Sequence, residues 1–205
     1  MRIANLFPIG GPLNYSGHVY GGIIAGGAVC FLASTTGDIE LGWETLSEMA
    51  ESPLSPTQNT KTLLGLFTTT LFMALFPDLD VQSIFQRWFF RIVFLLLGIM
   101  HFSGRQDLFV MVAFCAILPV LHQHRGWTHW KITPWAIAIF LAIVQEYFLA
   151  QQRNLIGFKW GNVLDLLQSY WLFVLACVAG HYMHLFLDAR SMRWLKFISN
   201  DANHH

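Results

Sequence analysis

Six apolar segments with few charged residues account for nearly half of this sequence and limit what it can fold into. They cover residues 17–33, 62–76, 88–100, 108–121, 134–149 and 166–187. Charged residues make up only 12% of the chain, about half of their share in a typical soluble domain. They are too few to cover the 18 Phe and 8 Trp side chains. The sequence therefore predicts an all-α, polytopic membrane protein, a helical bundle of about six transmembrane or membrane-embedded helices.

The domain organisation is expected to be simple, with residues 1–205 forming a single membrane-embedded helical domain. A helix needs about 20 apolar residues to cross a bilayer, and several segments are shorter, so four or five spans are alternatives to six. The one long polar connection, residues 37–61, contains five acidic residues and two prolines. We predict that it is an acidic extramembrane loop.

The distribution of positive charge predicts an orientation. Six spans place both termini on the same side of the membrane, together with eight of the 12 Lys and Arg residues, whereas four fall on the opposite side. The positive-inside rule then predicts a multi-pass protein with both termini in the cytoplasm. The formal net charge is zero and the chain has no basic block, so we expect the lipid bilayer, and no nucleic acid, as its partner.

Polar residues of the types that bind metal ions are not scattered along the chain. In the six-span topology they fall at one membrane face, contributed by four separate pieces of sequence: His18; Asp78 and Asp80; His122, His124 and His129, with Arg125 beside them; and His181, His184 and Asp188. Ionisable groups at membrane depth are costly and usually functional. Their convergence predicts a metal site at the end of the bundle.

Local spacing supports this interpretation. His184 and Asp188 are four residues apart, which places both side chains on one helical face, as in the metal-binding helices of metalloproteases. Asp78 and Asp80 follow Pro77, which ends the preceding helix, and alternate residues in an extended segment point to one side. Two alternatives without a metal are that Asp80 caps the third apolar helix and that Asp188 is a surface residue.

The order of these elements resembles the YdjM-type family, bacterial inner-membrane proteins with an inferred metal-dependent hydrolase activity. The resemblance covers about residues 17–190 and rests on His18, a Pro-Asp-Leu-Asp element, a His-Arg-Gly-Trp-Thr-His element and a Gly-x-x-x-His-x-x-x-Asp element. The matching positions are Asp78 and Asp80; His124, Arg125, Gly126, Thr128 and His129; and Gly180, His184 and Asp188. Trp130 stands where the family usually has Ser. The resemblance implies a hydrolase of the bacterial inner (cytoplasmic) membrane.

The donor set is imidazole and carboxylate without thiolate, which suits Zn²⁺ above all, with Mn²⁺ or Fe²⁺ as alternatives. The predicted metal ligands are His18, Asp78, Asp80, His129, His184 and Asp188. They exceed the three protein ligands of a simple catalytic zinc site, so we expect one or two ions.

The predicted catalytic residues are His124, Arg125 and Asp80. We expect a metal-activated water to attack a phosphoester, His124 to act as general acid or base, and Arg125 to pair with the phosphate. A site at headgroup level makes lipid or lipid-linked phosphoesters the expected substrates.

Two other functions remain open at this point. The same ligands would serve a metal-ion transporter or sensor, although transporters usually place their site near the bilayer midplane. They would also serve a non-catalytic membrane interaction protein in which a structural metal ties helix ends together.

Overall fold

The computed structural model describes residues 15–37, 58–80, 83–120, 126–152 and 157–202. These residues form seven α-helices, three short 3₁₀ helices and no strand, which confirms the all-α prediction. The α-helices are α1 (Tyr15–Thr35), α2 (Gln58–Leu75), α3 (Ile84–Phe102), α4 (Gln106–Ile117), α5 (Thr133–Gln152), α6 (Trp160–Ser169) and α7 (Trp171–Ala202). Most of the predicted acidic loop, from residue 38 to residue 57, lies outside the described residues.

Five of these helices are long and apolar enough to cross a membrane. The candidate spans are Ser16–Thr35, Gln58–Asp80, Ile84–Phe102, Thr133–Gln151 and Trp171–Ala189. The fourth predicted apolar segment, residues 108–121, forms α4, which has only 12 residues and is about 18 Å long at 1.5 Å per residue. It is shorter than the roughly 30 Å of a bilayer core, so six apolar helices form but only five have spanning length.

The predicted segment at residues 166–187 is divided between two helices. The chain leaves the helical conformation at Tyr170, between α6 and α7, where φ is −106° and ψ is 29°. The ten-residue α6 carries polar residues such as Asn162 and Asp165 beside the buried Val163, so it is amphipathic and distinct from the apolar α7. The uninterrupted apolar run in the sequence did not reveal this break.

Helices α1, α2 and α7 pack together as the centre of the bundle. Their common core contains Val29, Ala33, Leu63, Leu66, Leu172 and Ala176. Gly22 and Gly26 allow α1 to lie close against α2, because a Cβ atom at either position would come within 2.8 Å of a side-chain carbon of Leu71 or Phe67. Small residues four positions apart commonly bring membrane helices together in this way.

Helices α3 and α4 form an outer hairpin. No residue of α3 is buried, and large apolar side chains such as Phe94 and Ile99 are exposed along it, as expected of a surface in contact with lipid. After α4 the chain returns to the end of α2, where the 3₁₀ helix Leu118–Val120 contacts the 3₁₀ helix Phe76–Asp80. A second core of Met73, Phe76, Leu79 and Cys177 lies there.

Candidate metal centre

Four elements bring imidazole and carboxylate groups together at one end of the bundle. His18 lies in the first turn of α1, and Asp78 lies in the 3₁₀ helix that follows α2. His129 ends the 3₁₀ helix Trp127–His129 before α5, and α7 contributes His184 and Asp188. The structure thus places five of the six predicted metal ligands close together.

Two overlapping groups of these residues have the geometry of a metal site. One contains His18, Asp78 and His184, and the other contains His129, His184 and Asp188; within each group the potential ligand atoms lie within 4.8 Å of one another. His184 belongs to both groups. The two groups therefore describe one continuous centre.

The carboxylate of Asp188 lies between three histidines. Its Oδ1 atom is 3.3 Å from Nε2 of His18, and its Oδ2 atom is 3.6 Å from Nε2 of His184 and 3.9 Å from Nε2 of His129. Two atoms bound to one ion at about 2.1 Å lie roughly 3.0 to 4.2 Å apart. The distances of 3.6 and 3.9 Å are longer than direct hydrogen bonds and fit shared coordination, whereas the 3.3 Å distance to His18 fits either arrangement.

His184 is held in the tautomer that a metal ligand requires. Its Nδ1 atom lies 2.8 Å from the carbonyl oxygen of Ala74, and since a carbonyl only accepts, Nδ1 carries the hydrogen. The opposite nitrogen, Nε2, is buried and has no hydrogen-bond partner among the described residues. It lies 3.9 Å from Oδ1 of Asp78 as well as near Asp188. An imidazole nitrogen that lies between two carboxylates, on a ring whose other nitrogen is bonded to a backbone carbonyl, is typical of a metal ligand.

The approach of α2 to α7 makes this bond possible. Gly180 lies one turn before His184, and Thr70 lies one turn before Ala74. A Cβ atom at position 180 would be 2.2 Å from the carbonyl oxygen of Thr70, so only glycine allows the two backbones to lie this close. This close packing holds the imidazole of His184 against α2.

His129 reaches the centre from a loop and presents its Nε2 atom to Asp188. Its Nδ1 atom lies 3.5 Å from Oδ2 of Asp80. Burial lowers the pKa of His129, an effect that the nearby carboxylate of Asp80 opposes. A lowered pKa favours the neutral imidazole, which is the form that binds metal.

Asp80 was predicted as a metal ligand and a catalytic residue, but it belongs to neither group of ligand atoms. Its side chain is fully buried beside Nδ1 of His129, and it accepts a hydrogen bond of 2.7 Å from the hydroxyl of Thr128. The alternative that Asp80 caps the third apolar helix is wrong, because the N-cap of α3 is Ser83, which accepts from the backbone N–H of Gln86.

His181 lies on the same face of α7 as His184 but has a different structural role. Its Nε2 atom lies 3.1 Å from the carbonyl oxygen of Trp130, so it attaches the loop that carries His129 to α7. The predicted catalytic residues His124 and Arg125 lie outside the described residues, and their roles stay predictions.

Sequence reasoning missed two features of the chain. The carbonyl of Ala74 left no signal, because a backbone partner is not visible in a side-chain pattern. Glu146 of α5 is only 1% exposed, and one of its carboxylate oxygens accepts a hydrogen bond of 2.7 Å from the side-chain amide of Asn162 on α6. Glu146 is 13 residues from Thr133, the first residue of α5, which corresponds to about 20 Å at 1.5 Å per residue. Because the metal centre lies at the Thr133 end of α5, Glu146 is not part of it.

Comparison with known proteins identifies the family of this chain. The model of the family described as YdjM inner membrane protein matches residues 16–193, which include every residue of the candidate centre. No curated protein and no solved structure matches the chain. Because the family match covers far more than half of the sequence, the chain belongs to the YdjM inner membrane protein family.

Proposed function

We propose that this protein is a membrane-embedded, metal-dependent hydrolase that acts on a phosphoester of a lipid or a lipid-linked compound. The observation that carries the proposal is the imidazole of His184. Its Nε2 atom is buried and faces the carboxylates of Asp78 and Asp188, while the carbonyl of Ala74 fixes its Nδ1–H.

The proposed ligands are His18, Asp78, His129, His184 and Asp188, and the proposed ion is Zn²⁺, with Mn²⁺ or Fe²⁺ as alternatives. The Nδ1 atom of His184 is occupied by Ala74, so this residue offers one nitrogen and binds one ion. A second ion would have to rely on the remaining donors. When bound, the ion supplies a Lewis acid that polarises the phosphoryl group and activates water for attack.

The burial of the ligands suggests how a substrate reaches them. His18 and His184 are closed off inside the bundle, whereas Asp78, His129 and Asp188 are partly exposed. The partly exposed side chains form an open edge at the end of the bundle, where a lipid headgroup would lie if the five apolar helices cross the bilayer. We keep His124 as the proposed acid or base and Arg125 as the proposed phosphate partner.

The location of the centre also favours an enzyme over a transporter. The ligands lie at the ends of the candidate spans, whereas transporters usually bind their substrate near the bilayer midplane. Five crossings alone would leave the termini on opposite sides, but after α4 the chain returns to the end of α2. In the proposed orientation the chain therefore crosses the inner membrane several times with both termini in the cytoplasm, and the reaction takes place at the cytoplasmic face.

The test is hydrolysis by purified protein in lipid vesicles. Vesicles that contain a lipid phosphomonoester, a lipid phosphodiester or a lipid pyrophosphate are assayed for released product, first after chelation and then with Zn²⁺, Mn²⁺ or Fe²⁺ restored. We expect metal-dependent turnover that is lost in Asp78→Asn. The control is Asp165→Asn, which changes an exposed carboxylate on α6 and should leave turnover unchanged.

Other outcomes would support the alternative functions. Entry of metal ions into the vesicles without hydrolysis would support a transporter. Failure of Asp78→Asn to fold, with no turnover by the wild type on any of the three lipids, would support a structural metal.

A further inference from the structure

We infer that Asp80 and Thr128 act as a positioning pair that sets the tautomer and orientation of His129. This inference rests on the proposed metal centre and assigns to Asp80 a role different from that of a ligand. The three side chains come from two segments that are 48 residues apart in sequence, the 3₁₀ helix after α2 and the loop before α5.

The three polar groups form a short chain of hydrogen bonds. The hydroxyl of Thr128 donates to Oδ2 of Asp80 over 2.7 Å. With its own hydrogen used, the Thr128 oxygen accepts from Nδ1 of His129, which lies 3.2 Å away. The direct distance from His129 Nδ1 to Asp80 Oδ2 is longer, at 3.5 Å. The hydroxyl therefore connects the imidazole to the carboxylate.

The direction of this chain determines which nitrogen of His129 faces the centre. A carboxylate only accepts hydrogen bonds, so Thr128 must donate to Asp80 and His129 must donate to Thr128. The hydrogen of His129 is then on Nδ1, and the lone pair is on Nε2, which faces Asp188. Ala74 fixes His184 in the same tautomer. His129 and His184 thus each have a partner at Nδ1 that directs Nε2 to the centre.

The position of Asp80 argues against direct coordination. Its side chain is fully buried and its Oδ2 atom lies on the Nδ1 side of the His129 ring, away from Nε2. Thr128 is also fully buried. Loss of such a partner behind a metal ligand typically weakens metal affinity by about 10- to 100-fold.

The experiment compares metal binding by Thr128→Val and Asp80→Asn with that of the wild type. Zn²⁺ affinity is measured by competition with a chelator, and the visible absorption spectrum of Co²⁺-substituted protein reports ligand geometry. We expect both variants to bind the same number of ions about 10- to 100-fold more weakly, with an altered Co²⁺ spectrum. Thr128→Ser keeps a hydroxyl at this position and should have the Zn²⁺ affinity and the Co²⁺ spectrum of the wild type.

Two further measurements separate positioning from stability. Glu146→Ala removes a buried carboxylate that pairs with the side-chain amide of Asn162, away from the centre; it should lower stability but bind metal as the wild type does. The ¹⁵N shifts of labelled His129 in the metal-free wild type should show hydrogen on Nδ1. Because this second measurement uses only the wild type, it tests the inference even if a variant fails to fold.

Each contrary result overturns a different statement. Loss of a bound ion in Asp80→Asn but not in Thr128→Val would show that Asp80 is a ligand. Wild-type affinity and spectrum in both variants, or hydrogen on Nε2 of His129, would overturn the positioning role alone. A wild-type protein that binds neither Zn²⁺ nor Co²⁺ would overturn the proposed function and this inference with it.

Discussion

Substitution of Gly180 by alanine tests whether close packing of α2 and α7 builds the metal centre. The new Cβ atom would lie 2.2 Å from the carbonyl oxygen of Thr70, whereas such atoms essentially never approach within 3.0 Å. The helices must therefore separate by about 0.8 Å, because the obstacle is backbone and has no rotamer to change. Gly180→Ala is thus expected to act on the centre one turn away.

The consequences follow from the geometry. If the helices separate as rigid bodies, the 2.8 Å bond from His184 to Ala74 lengthens to about 3.6 Å, which is no longer a hydrogen bond. Overpacking costs about 1 to 3 kcal/mol, and alanine regains about 1 kcal/mol of helix propensity. We expect a net destabilisation of about 1 kcal/mol and, because the tautomer of His184 is released, a loss of metal affinity of about 10- to 100-fold.

The assay combines unfolding of the metal-free protein in detergent with Zn²⁺ affinity measured by competition. Gly27→Ala is the matched control, because Gly27 also lies in a packed helix but a Cβ atom there would meet nothing within 4 Å. The control should be neutral or slightly stabilising and should bind metal normally. If Gly180→Ala behaves like Gly27→Ala in both measurements, the claim that helix packing sets His184 is refuted.

Three further results are expected. Asp188→Asn removes the charge that lies between three histidines, so metal affinity should fall by more than the roughly 10- to 100-fold typical of a lost supporting partner; near-normal affinity in a chelator competition would contradict this. Saturation with Zn²⁺ at 100 times its Kd should raise the free energy of unfolding by about 2.7 kcal/mol, and a melting curve insensitive to zinc would contradict it. Glu146→Ala should lower the free energy of unfolding by about 1 to 3 kcal/mol, because it leaves the amide of Asn162 unpaired, and Glu146→Gln should lower it by less. Neither variant should change the metal content. A changed metal content would contradict the separation of Glu146 from the centre.

The convergence of the ligands was predictable because it follows from the topology. Helix ends that alternate between two faces carry their polar residues with them, so the counting of apolar segments placed His18, Asp78, His129 and Asp188 at one level. The i, i+4 spacing also identified the face of α7 that carries His184. These conclusions need only helix periodicity and the order of elements.

The remaining details depend on contacts between distant segments. Asp80 and Asp78 look equivalent in sequence, and only the packing of Thr128 shows that Asp80 lies behind His129. His181 and His184 are one turn apart on α7, and only the contact of His181 with the carbonyl of Trp130 shows that their roles differ. Pattern reasoning finds candidates for ligands, but the partners that orient them are tertiary contacts.

The most direct test of the metal centre is elemental analysis of detergent-purified protein. The wild type is compared with His184→Ala, His129→Ala and the control His101→Ala, which changes an exposed histidine of α3. We predict one or two equivalents of zinc, manganese or iron in the wild type and in the control, lost in His184→Ala and reduced in His129→Ala. A wild type that carries no metal and takes up none on addition would contradict the account, and the histidines and aspartates would then form only a hydrogen-bonded network at the helix ends.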